Sequence, residues 1–316
     1  MKKICMCVLV FMFSLSVTLA YAEGELYMGD KDKTYVIAFS QDDMNNDWRA
    51  SQVNSAKKEA EKYKNVKFIY TDAQGSSMKQ VNDIEDLIAQ GVDAILTSPR
   101  EQKPLTPVVA KAYQEGIPII LLDRRVDGDQ YTAWIGPDNV PIAKAAAEYM
   151  GKQLNGKGKI IHLQGVPGST PQIERSDYFI EVLKEKYPDI EIVAQQPADF
   201  LRQKALEVME NLLQAHPDIN GLYSESDSMA YGAMLAFKNA GIDMAPLVVV
   251  GIDYITQAKE MIKAGLMDAT FTFDTCGKEG VQALDKLFKG ETIPKDQVVP
   301  STMVTIENVD SVEPIF

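Results

Sequence analysis

The sequence predicts an α/β protein of two similar α/β/α, Rossmann-like domains with parallel sheets, joined by crossing hinge segments around a cleft. Short apolar strands alternate with amphipathic helices along the chain, and this alternation is typical of parallel sheets covered on both faces by right-handed crossovers. The chain has 316 residues, more than one hydrophobic core usually holds. The pattern runs twice, with strands that begin at similar intervals near Tyr35, Val66, Ala94 and Ile117 and again near Lys159, Ile190, Gly221, Leu247 and Asp268.

The first run opens with a strand at Val36–Phe39, which leads into a polar loop at Ser40–Arg49. Asn46 or Asp47 can cap the helix that follows, in which apolar residues recur at three- and four-residue steps and therefore lie on one face. Strands that are apolar throughout are typical of sheets buried on both faces. The further strands predicted in this run are Val66–Thr71, Ala94–Thr97 and Ile117–Leu122.

The second run begins after Tyr131–Ile135, with a helix near Asn139–Leu154 and a strand at Lys159–Leu163. The tail adds a helix at Thr275–Lys289 and a strand near Thr302–Ile306, which have no counterpart in the first run and could complete either domain. No long Ser/Gly-rich linker separates the runs, so we expect short crossing segments rather than a flexible tether. This predicts a cleft with limited hinge motion.

The amino terminus has the three regions of a secretory signal peptide. A Lys-Lys pair precedes an apolar stretch from Ile4 to Ala20, and Ala20-Tyr21-Ala22 supplies small residues before a cleavage point. Residues 1–22 are therefore predicted to be removed after Ala22, which places the mature protein in a periplasm. A retained membrane anchor is the alternative, but the apolar stretch is shorter than the roughly 20 residues that span a bilayer.

Composition narrows the classes of partner. The chain has 45 acidic and 32 basic residues, a formal net charge of −13, which argues against nucleic acid as a partner.

Two of the three cysteines lie within the predicted signal peptide, so only Cys276 remains after cleavage. The exported protein must then hold itself together through a large core without intramolecular disulfides. We expect it to be a monomer.

The sequence carries no clear motif of an enzyme or a metal site. Neither His162 nor His216 has a cysteine or carboxylate at metal-ligand spacing. Gly165–Thr170 resembles a phosphate loop only loosely, because the lysine that should follow the second glycine is missing. No nucleophile elbow and no Ser-x-x-Lys pair with a partner base is present. The sequence therefore predicts a binding protein without metal or cofactor rather than an enzyme.

The informative residues follow the predicted strands, because ligands of parallel α/β sheets meet the residues just past the carboxyl ends of the strands. In the stretch IPIILLDRR, Asp123 and Arg124 stand at that point, although a structural ion pair is the alternative. Carboxylates and guanidinium groups bind vicinal hydroxyls, and aromatic faces cover the apolar side of a sugar ring. This mixture predicts a site for a polyol, with further members among Ser40–Arg49 including Trp48, and at Asp199, Phe200, Ser226, Asp227 and Asp253.

The whole mature chain resembles the periplasmic sugar-binding proteins of the ribose-binding class, which have the type I periplasmic binding protein fold and serve ABC transporters. The segments LLDRR, VVVGID and QQPADFLRQKALEVMENLL carry this resemblance. Within the class, Trp48-Arg49 is similar to the galactofuranose-binding protein, whereas ribose binders have two phenylalanines there. By position, the resemblance implies ligand contacts from Asn46, Trp48, Arg49, Asp123, Arg124, Arg175, Phe200, Ser226 and Asp253.

Two positions depart from the class. Ser226 stands where the class usually has asparagine, and Phe273 stands where ribose binders have glutamine. We therefore expect a hexose, with furanose forms such as galactofuranose among the candidates, to bind better than ribose. The resemblance also implies chain crossings near Ile135, Phe273 and Val304. The predicted lobes are residues 33–134 plus 274–303 and residues 135–273 plus 304–316.

The function predicted from these features is capture of a monosaccharide by hinge closure and its delivery to the membrane permease of an ABC transporter. The closest rival is an extracellular sugar sensor that presents its ligand to a chemoreceptor or sensor kinase, and the sequence does not separate the two. A sugar-responsive repressor shares the fold, but it needs a DNA-binding segment where this chain has a predicted signal peptide. An enzyme acting on sugars is a further alternative, for which no catalytic motif is present.

Overall fold

The computed structural model describes residues 25–316, and the predicted signal peptide lies outside them. The strands are β1 (Tyr35–Gln41), β2 (Val66–Asp72), β3 (Ala94–Thr97), β4 (Ile119–Leu122), β5 (Ala133–Gly136), β6 (Lys157–Gln164), β7 (Asp189–Pro197), β8 (Gly221–Ser224), β9 (Val248–Val250), β10 (Ala269–Phe271), β11 (Asp296–Val298) and β12 (Met303–Thr305). The helices are α1 (Asp47–Ala60), α2 (Ser77–Ala89), α3 (Gln102–Gln114), α4 (Asn139–Gln153), α5 (Thr170–Lys186), α6 (Arg202–Ala215), α7 (Asp227–Ala240), α8 (Thr256–Lys263) and α9 (Gly277–Phe288).

The strands form two six-stranded sheets. The first has the order β11-β5-β4-β3-β1-β2, with every neighbouring pair parallel. The second has the order β12-β10-β9-β8-β6-β7, in which β12 is antiparallel to β10. Apart from β11 and β12, both sheets place their strands in the same order along the chain. The predicted fold class, two α/β domains of one repeated architecture, is confirmed.

Each sheet lies between two layers of helices, because successive strand residues point to opposite faces. In β1, Ile37 and Phe39 pack in the core beneath α1 and α9, whereas Ala38 packs in the core beneath α2 and α3. In β8 the neighbours Leu222 and Tyr223 divide in the same way between two cores of the second sheet. Burial on both faces explains why these strands are apolar throughout.

Two strands differ from the sequence prediction. β4 starts at Ile119 rather than Ile117, because Pro118 has no amide to donate and the Ile117 amide instead bonds the Ala112 carbonyl at the end of α3. β11 was not predicted. It has only three residues, Asp-Gln-Val, at the edge of the first sheet, and such a segment carries no apolar run to signal a strand.

The chain crosses between the sheets three times, at residues 137–138, 272–276 and 299–302. α9 packs against α1, and β12 pairs with β10. We call the first sheet with α1, α2, α3 and α9 the first lobe, and the second sheet with the other helices the second lobe. The boundaries predicted at 134, 273 and 303 stay a prediction. Within residues 25–316, no helix is long and apolar enough to cross a membrane.

Candidate ligand-binding site

The two lobes enclose a cavity beside the carboxyl ends of strands from both sheets. It contains about 290 Å³ of space free of protein atoms, including space that is open to solvent. Most of its lining follows β1, β4, β7, β8, β9 and β10, the position at which parallel α/β sheets bind ligands. The lining residues are Asn46, Trp48, Arg49, Asp123, Pro171, Arg175, Phe200, Ser226, Asp253 and Phe273.

Nine of the ten residues predicted to bind the ligand, with Phe273 counted among them, are in this lining, and Arg124 is the exception. Asp199 and Asp227, which the sequence also suggested because they follow strands, are not in it. Pro171 lines the cavity but was missed by the sequence reasoning. It lies in the first turn of α5, where proline is common because its missing amide has no partner there in any helix. The strand-to-helix turn at Gly165–Thr170 was the only signal that pointed to this place.

The start of α1 connects the two lobes. The Asn46 side chain caps α1 by accepting from the Arg49 amide at 2.9 Å, and its Nδ2 donates to the Phe200 carbonyl at 2.7 Å. The Trp48 indole Nε1 donates to the Phe273 carbonyl at 3.0 Å, and the two rings lie 5.9 Å apart between centroids. Residues at the start of one helix are therefore held by backbone groups of the opposite lobe and of a crossing segment.

Four buried side chains form a ring of alternating charge in the first lobe: Asp42, Arg49, Asp123 and Arg124. Arg49 Nη1 lies 2.7 Å from Asp123 Oδ2, and Arg49 Nε lies 3.4 Å from Asp42 Oδ1. Arg124 Nη1 lies 2.9 Å from Asp42 Oδ2, and its Nε lies 3.9 Å from Asp123 Oδ2. No side chain of this charge ring is more than 7% exposed. Asp42 was not singled out from the sequence, although its place just after β1 was a usable signal.

Asp123 keeps one oxygen uncommitted. Its Oδ1 is buried without a hydrogen-bond partner in the structure, and such groups in native proteins call for a partner such as a ligand. Its backbone has a φ of 65°, a left-handed conformation that costs about 1–3 kcal/mol for a residue other than glycine and is often found at functional sites. The Trp134 indole holds this turn by donating to the Asp123 carbonyl at 2.9 Å.

Arg124 lies behind the cavity. Its Nη1 donates to Asp42 and also to the Pro99 and Arg100 carbonyls, at 3.4 and 3.2 Å. Burial, together with the neighbouring Arg49, lowers the pKa of Arg124 to about 10, against the opposing effect of Asp42 and Asp123. Its main carboxylate partner is Asp42 rather than the adjacent Asp123. Direct contact between Arg124 and a ligand stays a prediction.

The second lobe contributes one guanidinium group and one carboxyl group. Arg175 Nε donates to Asn139 Oδ1 at 2.8 Å and Nη1 donates to the Glu225 carbonyl. The Phe273 ring covers its guanidinium group at 4.3 Å. Asp253 Oδ1 lies 3.9 Å from Arg175 Nη1, and burial raises the pKa of Asp253 well above its usual value, although Arg175 opposes this.

Ser226 has a local structural role as well as a place in the lining. Its Oγ caps α7 by accepting from the Met229 amide at 3.3 Å. The next residue, Asp227, accepts from the Thr270 hydroxyl and, at 2.7 Å, from the Tyr254 amide. Burial raises the pKa of Asp227 to about 7, even though these hydrogen bonds lower it.

The structure is closed, since the lobes bond directly to each other on both sides of the cavity. The Gln102 amide donates to the Gly168 carbonyl at 2.9 Å, and the Arg125 amide donates to Thr170 Oγ1 at 3.1 Å. At the other rim, Arg202 Nη2 lies 2.7 Å from Asp47 Oδ2. These contacts leave the lining residues largely shielded from solvent.

Two further groups bear on the chemistry of the chain. Cys276 is buried next to the cavity's Phe273 segment, and burial raises the pKa of its thiol well above the usual value, so the thiol is held protonated and unreactive. Among the described residues, no cluster of His, Cys, Asp and Glu is arranged to hold a metal ion.

A family model described as a periplasmic binding protein domain matches residues 37–292. The chain belongs to this family. It is similar to the ribose import binding protein RbsB of Bacillus subtilis (strain 168), with 34% identity over 275 residues that cover 86% of this chain and 88% of that protein. The resemblance inferred from the sequence motifs is thereby confirmed.

Solved structures of the same fold support the membership. A fructose-binding periplasmic domain of a hybrid two-component system is 33% identical with a TM-score of 0.82, over 88% of this chain and 92% of that chain. A galactofuranose-binding protein is 30% identical with a TM-score of 0.83, over 88% of this chain and 96% of that chain. These relatives in the family are named for binding rather than for catalysis.

Proposed function

We propose that the protein is an extracytoplasmic solute-binding protein that captures a monosaccharide and delivers it to the permease of an ABC transporter. The observation that carries this proposal is the composition of the cavity. It combines an uncommitted carboxylate oxygen of Asp123, the guanidinium groups of Arg49 and Arg175, and the rings of Trp48 and Phe200. Hydroxyl groups match the charged acceptors and donors, and aromatic faces match the C–H side of a sugar ring.

Within this proposal, Asn46, Asp123, Arg175, Ser226 and Asp253 bond the sugar hydroxyls, and aromatic side chains cover the faces of the ring. Burial raises the pKa of Asp253 well above its usual value, which favours a carboxyl that can donate a hydrogen bond to the sugar, whereas Asp123 in the first lobe offers an acceptor. Arg124 is also proposed to bond a sugar hydroxyl, and its Nε is a buried donor without a hydrogen-bond partner in the structure.

The proposed sugar is a hexose, with furanose forms included, rather than ribose. The Arg49 guanidinium stacks over the Trp48 ring at 4.7 Å, which gives this corner of the cavity a broad, rigid surface. Phe273 presents a ring rather than an amide to the ligand, and Ser226 presents only a short hydroxyl that already caps α7. Support also comes from the relatives named above for binding fructose and galactofuranose.

Capture is proposed to occur by hinge closure at the three crossing segments. The bonds between lobes, such as that from Asn46 to the Phe200 carbonyl, would form only on closing. Small-angle X-ray scattering should then give a smaller radius of gyration with a bound sugar than without it. An unchanged radius with a sugar that demonstrably binds would contradict the closing mechanism.

A second candidate function is a sugar sensor that presents its closed form to a sensor kinase or chemoreceptor. One observation favours it, since the fructose-binding relative is a domain of a hybrid two-component system. Pull-down of membrane partners with sugar-loaded protein separates the two candidate functions. Capture of a permease supports the transporter, and capture of a sensor kinase or chemoreceptor supports the sensor.

The proposal also includes export into a periplasm after removal of residues 1–22. The amino-terminal sequence of the exported product should begin at Glu23. A product that begins at Met1 would contradict the export claim without touching the binding claim.

The decisive experiment is a thermal-shift screen of the mature protein over pentoses, hexoses and polyols, followed by calorimetry. A ligand at 100 times its Kd adds about 2.7 kcal/mol to stability. We expect hexoses to give the largest shift. Truncating a buried charged group that binds the ligand costs about 2–5 kcal/mol, so Arg49→Ala and Arg124→Ala should each lower affinity about thirtyfold or more. Tightest binding of ribose would contradict the sugar assignment, and unchanged affinity in Arg124→Ala would remove Arg124 from the site.

A further inference from the structure

Asp42 lies outside the cavity but touches three guanidinium groups. Its Oδ2 lies 2.9 Å from Arg124 Nη1 and 3.5 Å from Arg100 Nη1, and its Oδ1 lies 3.4 Å from Arg49 Nε. The backbone fixes it in place, since its amide donates to Gln41 Oε1 at 2.9 Å and its carbonyl accepts from the Gly75 amide at 2.8 Å. With 2% of its side chain exposed, it cannot exchange these partners for water.

Asp42 completes the neutrality of the charge ring. The ring holds two carboxylates and two guanidinium groups, so the charges of Arg49 and Arg124 are balanced before any ligand enters. Burial alone would raise the pKa of Asp42, but Arg124, Arg49 and Arg100 hold it below its usual value. Three buried atoms of the ring have no hydrogen-bond partner in the structure, Asp42 Oδ1, Asp123 Oδ1 and Arg124 Nε, and of these residues only Asp123 lines the cavity, so the ring offers the cavity an acceptor.

The cation of the second lobe, Arg175, is fixed in place by neutral groups rather than by an ion pair. Arg175 donates to Asn139 and to the Glu225 carbonyl, and its guanidinium lies against the Phe273 ring and 3.9 Å from Asp253. On the first-lobe side of the cavity, where Arg49 is balanced, a ligand carboxylate would have to give up its water without finding an unbalanced positive charge, which is unfavourable.

We propose that Asp42 is a specificity-determining positioning residue, which makes the site select uncharged sugars over sugar acids by neutralising Arg49 and Arg124. The inference rests on the proposed monosaccharide-binding function. Replacing Asp42 with asparagine leaves a buried net positive charge beside the cavity, and the carboxylate of a sugar acid would balance that charge.

The test is calorimetry on the mature protein with two matched pairs of probes, D-galactose with D-galacturonate and D-glucose with D-glucuronate. The readout is the ratio of the two affinities within each pair, which a merely structural role would not move. In Asp42→Asn this ratio should shift toward the acid about tenfold or more. A ratio within twofold of the wild type would overturn the inference, even if both affinities fall.

Asp93→Asn is the matched control, because Asp93 is paired with Lys33 and accepts from the Val36 amide at the opposite end of β1. In Asp93→Asn the ratio of the affinities for the acid and the neutral sugar should equal that of the wild type. Arg100→Gln covers the case in which Asp42→Asn does not fold. It removes the third cation near Asp42 and should shift the ratio about twofold or more toward the neutral sugar, and no shift or the reverse shift would overturn the inference.

The wild type separates this inference from the proposed function. Tighter binding of an acid than of its neutral partner would overturn the role of Asp42 alone and leave a sugar-binding protein. Binding of neither kind of probe nor of any sugar in the screen would overturn both.

Discussion

In the first lobe the buried carboxylates of Asp42 and Asp123 are ion-paired with guanidinium groups at 2.9 and 2.7 Å. In the second lobe Asp227 accepts only from neutral donors, and Asp253 has a longer contact of 3.9 Å to the Arg175 guanidinium. The consequence is opposite pKa behaviour, since the pKa of Asp42 is lowered and those of Asp227 and Asp253 are raised. Burial acts in the same direction on all three. The difference teaches that the neighbours, and not the depth of burial, decide whether a carboxyl at a strand end is charged.

The largest expected effect comes from matched substitutions in the two lobes. Asp123→Asn breaks the buried pair with Arg49 and leaves that guanidinium undercompensated, which should cost about 3–5 kcal/mol of unfolding free energy. Burial disfavours the charged form of Asp253 and raises its pKa, so Asp253→Asn, which puts a neutral amide of similar shape there, should cost less than about 1 kcal/mol. Urea unfolding near neutral pH without sugar measures both. Equal costs, or a larger one for Asp253→Asn, would remove the contrast between the lobes.

The next effect is a pH dependence that arises in the second lobe. The Asp227 carboxyl has an ordinary pKa of 3.8 and a folded-state pKa of about 7, so the folded protein binds more protons than the unfolded chain between these values. This group therefore contributes stability below about pH 4 that is lost as the pH rises through 7, by at most about 1.4 kcal/mol per pH unit. Compared with Asp227→Asn, the wild type should lose stability between pH 4.5 and pH 7.

Carboxylates whose pKa values are lowered, such as Asp42, change the stability with pH in the opposite direction. Subtracting the stability profile of Asp227→Asn from that of the wild type removes their contribution, because it is common to both proteins. The hydrogen bonds that the asparagine changes at Thr270 and Tyr254 add only an offset that does not vary with pH. Parallel profiles for the two proteins, measured by thermal unfolding across the pH range, would show that Asp227 is charged in the folded state.

A smaller effect is expected from the glycine that faces Phe200. A Cβ at Gly165 would collide with the Phe200 ring, and overpacking of this kind costs about 1–3 kcal/mol. Because Phe200 is fixed by a backbone φ of 61°, Gly165→Ala should push its ring into the cavity and weaken sugar binding about tenfold. Gly116→Ala is the control. It strains a turn at φ 79° with open space around the Cβ, so it should lower stability and leave affinity intact.

The smallest effect concerns the ion pair between the lobes at the rim. Asp47 and Arg202 are 52% and 34% exposed, and exposed pairs contribute about 0–1 kcal/mol that salt screens. Asp47→Asn should weaken sugar binding by less than about fivefold at low salt and not at all at high salt. Lys263→Met, which breaks a pair with Asp310 inside the second lobe, should leave affinity unchanged at both. A loss that persists at high salt would mean that Asp47 acts on the sugar itself.

Much of the fold followed from the sequence alone. The strands Ala94–Thr97 and Ile119–Leu122 can be recognised from the sequence, because burial on both faces favours an apolar run of side chains. The residues after the strands could also be assigned to one place, because parallel strands deliver their carboxyl ends to a common edge. That is why Asp123, Phe200 and Asp253 were predicted and lie together in the cavity lining. The edge strand Asp296–Val298 could not be predicted, since its pairing depends on the neighbouring β5 and not on its own residues.

What the tertiary structure decided is which charges meet. The sequence suggested Asp123 as the partner of Arg124, because the two are adjacent, but adjacent side chains diverge from the backbone. In the structure, Arg124 Nη1 turns instead to Asp42 at the end of β1, and this closes the charge ring with Arg49. Such partners are selected by the distances between side chains that packing brings together, and so are their pKa values, because desolvation and Coulomb interactions depend on position in space rather than in the chain.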